Sequence, residues 1–120
     1  MKIYKHRIFA KWAKAEKIDS LTLKKAISEI EQGLFDANLG GNLYKKRIAR
    51  KGQGKSGGYR SIVAFKKDDK AVFIIGFAKS ERENLTDKEL EALKKLGNDY
   101  FLFSKQQIDE CIKLGNLTEV

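Results

Sequence analysis

The chain has 120 residues, 42% hydrophobic and 34% charged, with a formal net charge of +9. This length and composition predict one globular domain over residues 1–120 and exclude both a disordered chain and two independent cores. No apolar run approaches the ~20 residues of a membrane span, and the first residues lack a signal-peptide core, so we expect a cytoplasmic protein without a membrane partner. One cysteine and one histidine provide neither a disulfide nor a cluster of soft metal ligands, and no cofactor is expected.

The N-terminal third is predicted to contain a short edge strand, residues 1–5, followed by two helices. Apolar residues recur at helical spacing in the first helix, at Ile8, Phe9, Trp12 and Ala13. The second helix begins at an N-cap pair, Asp19 and Ser20, and is closed by Gly33 and then Gly40 and Gly41. Its apolar stripe consists of Leu23, Ala26, Ile27, Ile30 and Leu34.

The middle third is predicted to form an antiparallel meander of three strands, residues 42–49, 59–66 and 71–78. The last strand is apolar on both faces, which places it in the middle of a sheet. Residues 50–58, RKGQGKSGG, form a glycine-rich connection. It lacks the glycine that a Walker loop requires at Ala49 and precedes a strand, so no nucleotide site is expected. Two interpretations stay open for it: a simple hairpin connection, or a flap that contacts nucleic acid.

The C-terminal third predicts two helices that start at capping boxes, Thr86 with Glu89 and Ser104 with Gln107. Gly97 and Gly115 are predicted to end them. The order of helices, sheet and helices predicts an α+β fold with an N-terminal helix pair, an antiparallel meander and C-terminal helices.

The positive charge is concentrated in one segment. Residues 37–67 contain no Asp or Glu and nine basic residues: Lys45, Lys46, Arg47, Arg50, Lys51, Lys55, Arg60, Lys66 and Lys67. The sixteen other Lys and Arg residues balance the sixteen Asp and Glu residues, so the whole net charge comes from this segment. A concentrated basic patch on an otherwise neutral chain indicates a polyanionic partner, with nucleic acid as the first candidate.

Five basic residues are expected to converge at one end of the meander. The second strand starts where the third ends, so Arg60 should lie near Lys79 and Arg82, with Lys45 and Arg47 on the neighbouring strand. Arg60 begins a core-like strand and has no carboxylate partner within the basic segment, so its guanidinium should be aimed at an anion. The alternatives are surface ion pairs with Glu81 or Glu83 and a basic edge strand that resists aggregation.

A convergent cation cluster suits RNA cleavage. Crowding lowers the pKa of a lysine toward the range of a general base, and arginines stabilise an anionic phosphorane. The only histidine, His6, lies outside the basic segment and is expected to be a surface or capping residue. Since no metal ligands are evident in the sequence, metal-assisted hydrolysis is disfavoured.

The order and spacing of these motifs resemble the RelE/HigB toxins of bacterial type II toxin–antitoxin systems. The resemblance covers roughly residues 1–96 and is sharpest in Tyr44-Lys45-Lys46-Arg47, Gly58-Tyr59-Arg60 and Ala78-Lys79-Ser80-Glu81-Arg82. It implies a compact RelE-like fold and a ribosome-dependent, metal-independent mRNA endonuclease that leaves a 2′,3′-cyclic phosphate. It also implies that the partners are the ribosome, mRNA and a cognate antitoxin, which we expect to be of helix-turn-helix type.

By position, the resemblance implies a catalytic set of Lys45, Arg47, Arg60, Lys79 and Arg82. The basic segment adds an RNA-binding set of Lys46, Arg50, Lys51, Lys55 and Tyr59. The chain departs from RelE at Ser80, where RelE has a second catalytic arginine, and no tyrosine follows Arg82 to stack on the substrate. Two other functions stay open: a ParE-like toxin that inhibits gyrase, which the retained basic set disfavours, and a non-catalytic RNA- or ribosome-binding protein.

Overall fold

The computed structural model describes residues 1–49, 58–82 and 84–120. These residues form one six-stranded sheet with a pair of helices on each face. The elements in chain order are β1 (Lys2–His6), α1 (Arg7–Ala15), α2 (Ser20–Glu31), β2 (Ala37–Gly40), β3 (Leu43–Ile48), β4 (Tyr59–Lys66), β5 (Lys70–Ala78), α3 (Asp87–Leu102), α4 (Lys105–Lys113) and β6 (Leu117–Glu119). The predicted α+β class, with two helices before the meander and two after it, is confirmed.

Strands β3, β4 and β5 form the predicted antiparallel meander, and the sheet order is β2-β3-β4-β5-β1-β6. The prediction of β1 as an edge strand is wrong, because β1 lies between β5 and β6. It pairs in parallel with β5 and antiparallel with β6. A central position suits this strand because it has an apolar residue on each face: Ile3 packs against one core cluster and Tyr4 belongs to the other.

The two faces of the sheet carry separate hydrophobic clusters. Helices α1 and α2 cover one face, where Phe9 and Leu23 pack with Phe73 of β5. Helices α3 and α4 cover the other face, where Tyr100 and Ile108 pack with strand residues that include Ile62, Val72 and Ile74. Strand β5 contributes to both clusters, which confirms its predicted place inside the sheet.

Glycines play two different roles in the helical layers. The predicted end of the first C-terminal helix at Gly97 is wrong, since α3 continues to Leu102. A Cβ atom at Gly97 would lie 3.0 Å from the Cβ of Ala64, so glycine there allows α3 to approach β4 closely. Gly115 has a φ of +81°, the left-handed conformation that commonly follows a helix, as predicted.

The predicted helix starts are confirmed by their hydrogen bonds. The Asp19 carboxylate accepts from the backbone N–H of Thr22, 2.8 Å away, and caps α2. Reciprocal capping boxes start α3 at Thr86 and α4 at Ser104. Because the side chain of Glu89 belongs to the first of these boxes, the start of α3 is tied to the loop that precedes it.

Candidate functional site

Two arginines of the basic segment lie side by side on adjacent strands. Arg47 on β3 and Arg60 on β4 are cross-strand partners. Two like charges directly opposite each other destabilise a strand pair. The Asp36 carboxylate lies between them, with its Oδ2 atom 3.1 Å from Nε of Arg47 and 3.4 Å from Nε of Arg60. The three side chains form a charged triad in which one carboxylate offsets half of the positive charge.

The two arginines of the triad differ in exposure. The side chain of Arg60 is only 6% exposed, whereas that of Arg47 is 46% exposed. The guanidinium of Arg47 therefore reaches solvent, whereas that of Arg60 is buried in the sheet and contacts the same carboxylate. Arg60 has no carboxylate partner within the acid-free segment, as expected, but Asp36, one residue before that segment, forms an ion pair with it.

Arg82 reaches the same end of the sheet from the loop after β5. Its guanidinium lies 5.5 Å from the ring centroid of Phe77, which is the cross-strand partner of Arg60 on β5. The Glu89 carboxylate accepts from both terminal nitrogens of Arg82, and the carbonyl of Asn84 accepts a further bond at 3.1 Å. This bidentate geometry fixes the plane of the guanidinium.

The ion pair between Arg82 and Glu89 perturbs both groups. Hydrogen bonds from Arg82 are the main cause that lowers the pKa of Glu89 to about 2, and the backbone N–H of Thr86 adds to the effect. The same hydrogen bond raises the pKa of Arg82 above its ordinary value. Glu89 therefore stays ionised at neutral pH and keeps Arg82 attached to the first turn of α3.

The two candidate lysines lie beside these arginines. Lys45 is half-buried, its Nζ atom is 3.5 Å from Oδ1 of Asn84, and it lines a cavity of about 200 Å³ with apolar neighbours that include Ile62 and Phe77. Lys79 is exposed, and its backbone N–H donates to the carbonyl of Gly58 at 3.3 Å, next to the start of β4. All five residues of the predicted catalytic set thus lie at one end of the meander.

The structure places two residues of the predicted RNA-binding set in the interior. Lys46 is 4% exposed, with its Nζ atom 3.1 Å from a Glu29 carboxylate oxygen and 2.8 Å from the carbonyl oxygen of Leu34. Tyr59 is also 4% exposed, and its hydroxyl donates to the Glu16 carboxylate at 2.8 Å. Both side chains join the sheet to the N-terminal helices in this structure, and their contact with RNA stays a prediction.

The remaining members of the RNA-binding set, Arg50, Lys51 and Lys55, lie outside the described residues, as does Glu83. Sequence reasoning missed Asp36 as the partner of the arginine pair and identified Glu89 only as a capping residue. The one available signal for Asp36 was its position directly beside the acid-free segment. Asn84, which touches both Arg82 and Lys45, had no sequence signal.

His6 lies away from the cation cluster. Its Nδ1 atom shares a hydrogen bond of 2.6 Å with the hydroxyl of Tyr100, and its ring is half-buried. Burial lowers the pKa of His6, with a further contribution from Arg7, and burial raises the pKa of Tyr100 to about 12. His6 occupies the N-cap position of α1 but makes no side-chain capping bond. It belongs to the core contact between β1 and α3.

Two further findings concern the described part of the chain. No three His, Cys, Asp or Glu side chains there are grouped so that they could hold a metal ion. None of its helices combines the length and the apolar character that crossing a membrane requires.

Comparison with known families assigns the whole chain to one family. The family model for the RelE toxin of the RelE/RelB toxin–antitoxin system matches residues 1–120. The chain belongs to the RelE toxin family. No curated protein matches its sequence significantly. The protein is accordingly the toxin of a toxin–antitoxin system, and the RelE/RelB pairing implies an antitoxin partner. RelE toxins are in general endoribonucleases, so the cations at the end of the meander lie in a fold associated with RNA cleavage.

Proposed function

We propose that this RelE-family toxin is a ribosome-dependent endoribonuclease that cleaves mRNA without a metal ion and thereby inhibits translation. In this reaction a ribose 2′-oxygen attacks the adjacent phosphorus, the bond to the 5′-oxygen breaks, and the RNA is left with a 2′,3′-cyclic phosphate. The observation that carries the proposal is the convergence of five cations at one end of the sheet, from three separate segments of the chain.

The cations that reach the surface suit the charge that develops in this reaction. Arg47 presents a guanidinium that Asp36 anchors, and Arg82 presents one that Glu89 anchors, so both are held before the substrate arrives. Preorganised cations of this kind stabilise a phosphorane more than they stabilise the ground state. Lys79 adds an exposed positive charge, and the buried Arg60 contacts the same Asp36 carboxylate that anchors Arg47.

Lys45 is the proposed base. It lies on the same strand as Arg47, two residues away, and is half-buried against an apolar cavity. A lysine held on the same strand face as Arg47 can accept the proton of a 2′-hydroxyl while the arginine binds the phosphate, which is the role of a general base. We propose the cytoplasm as the site of action, mRNA in the ribosome as the substrate, and a helix-turn-helix antitoxin as the partner that neutralises the toxin.

The test is cleavage of an mRNA in a translating extract, mapped by primer extension, with analysis of the new 3′ ends for a cyclic phosphate. Arg47→Ala should lower the cleavage rate by about 100-fold, as expected when one preorganised cation is removed from a transition state. The matched control is Lys66→Ala, which removes an exposed cation from the other end of β4 and should cleave at the wild-type rate.

Three outcomes would contradict the proposal. If the wild-type toxin binds translating ribosomes but never cuts, it is a non-catalytic ribosome-binding protein. If it leaves mRNA intact but inhibits DNA supercoiling by purified gyrase, the ParE-like alternative is correct. If Arg47→Ala and Lys66→Ala slow cleavage equally, the cation cluster at the start of β4 is not the site.

A further inference from the structure

We infer that Asp36 is a positioning residue for catalysis, because it holds Arg47 and Arg60 by their Nε atoms and directs the terminal nitrogens of Arg47 toward the substrate. The inference rests on the proposed function and deepens it. Asp36 itself does not touch the substrate in this scheme. It acts through the arginine pair.

The geometry of the triad supports this role. A guanidinium has five N–H donors in a fixed planar arrangement, so a contact at Nε sets the direction of the others. The Asp36 carboxylate makes that contact with both arginines. Within the described residues the terminal nitrogens of Arg47 have no hydrogen-bond partner, and 46% of its side chain is exposed. These nitrogens are available to two oxygens of a phosphate.

Asp36 is itself held in place. Its backbone N–H donates to the carbonyl of Lys45 at 2.8 Å, next to the ladder between β2 and β3. Its side chain is 18% exposed, so the carboxylate has limited freedom to turn toward water. The backbone that carries the proposed base therefore also fixes the group that orients the arginines.

Loss of the Asp36 carboxylate should have opposite effects on RNA binding and on the cleavage rate. Removing a negative charge from a cationic surface strengthens its long-range attraction to a polyanion. Removing the contact at Nε frees the partly exposed side chain of Arg47, which must then be ordered again in the transition state. An Asp36 variant should thus bind RNA as tightly as wild type or more tightly, yet cleave it more slowly. Loss of a residue that only stabilises the fold would not slow cleavage while leaving RNA binding intact.

The experiment compares Asp36→Asn with Asp109→Asn. Both variants lose one negative charge from a carboxylate that accepts from a cation, since Asp109 lies 3.0 Å from Lys105 on α4, distant in sequence from the triad. Single-turnover cleavage on programmed ribosomes and ribosome affinity are measured for each, together with thermal unfolding. We expect Asp36→Asn to lower the cleavage rate tenfold or more without weakening binding. Asp109→Asn should leave the cleavage rate unchanged, and Asp36→Glu, which keeps the charge, should recover part of the lost rate.

A double-mutant cycle separates positioning from a general effect of charge. In an Arg47→Ala background the arginine to be oriented is gone, so adding Asp36→Asn should cost less than twofold. Wild-type cleavage by Asp36→Asn, or full additivity with Arg47→Ala, would overturn the inference while leaving the endonuclease proposal intact. Absence of cleavage by the wild-type toxin would overturn both, and so marks failure of the proposed function itself.

Discussion

Replacing Lys46 by methionine tests whether this lysine stabilises the fold or contacts RNA. Methionine keeps the length and most of the volume of the side chain but removes the ammonium group. That group lies 3.1 Å from a Glu29 oxygen and 2.8 Å from the Leu34 carbonyl oxygen, in a site where the residue is 4% exposed. The change therefore leaves a carboxylate of α2 and a backbone carbonyl without this donor.

The expected cost follows from the burial of the pair. Removing one partner of a buried ion pair costs about 3–5 kcal/mol. Because 18% of the Glu29 side chain is exposed, water can partly replace the ammonium group, and we expect a loss of about 3 kcal/mol in the free energy of unfolding. For a chain of this size that corresponds to a fall of roughly 10 °C in Tm. Combining Lys46→Met with Glu29→Gln should restore part of the loss, since the negative charge that faces the missing ammonium group is then removed as well.

Urea and thermal unfolding provide the measurement, alongside ribosome binding at several salt concentrations. The matched control is Lys66→Met, which alters an exposed lysine of β4 and should change the unfolding free energy by less than about 0.5 kcal/mol. If Lys46→Met instead unfolds like wild type and flattens the salt dependence of ribosome binding, the buried ion pair does not stabilise the fold. Lys46 would then be an RNA contact after all.

Three further predictions concern the core and its titrating groups. Gly76→Ala should destabilise the toxin by about 1–3 kcal/mol in urea unfolding, because the added Cβ would overlap the Trp12 ring. The pKa of Glu89 is lowered to about 2 by Arg82, so wild type should lose stability as the pH falls from about 5 toward 2, and Glu89→Gln should lose less over that range. Burial lowers the pKa of His6, so its ring should titrate below pH 6.5 by NMR, and the stability contributed by the neutral ring should be present above pH 6.5 and decline as the pH falls.

Local signals predicted most of the secondary structure. Capping residues act within one turn of a helix, so the starts of α2, α3 and α4 follow from Asp19, Thr86 and Ser104 alone. The position of β1 does not follow from local sequence, because it depends on pairing with β5, whose residues lie far away in the chain. The role of Gly97 depends in the same way on Ala64 across the helix–sheet contact. Strands as short as β2 and β6 have too few residues to show alternation.

The sequence predicts which cations form the candidate site, but it does not predict the carboxylates that pair with them. Antiparallel topology is enough to bring Arg60 to the same end as Arg82. Which carboxylate reaches which guanidinium is decided by the path of the chain in three dimensions, so the roles of Asp36 and Glu89 were beyond sequence reasoning. Strand alternation placed Lys46 on the opposite face from Lys45, but only the packing of α2 shows that this face is covered.

The position of Trp12 provides an intrinsic optical probe of the sheet end that carries Arg60. Trp12 is the only tryptophan of the chain, and its indole forms a T-shaped pair with the Tyr59 ring, with centroids 5.1 Å apart. Tyr59 directly precedes Arg60, and its hydroxyl donates a hydrogen bond to the carboxylate of Glu16 at the end of α1. Any shift of the first residues of β4 on binding an antitoxin should therefore alter the emission of Trp12, and the proposed binding of RNA can be tested by the same unlabelled fluorescence signal.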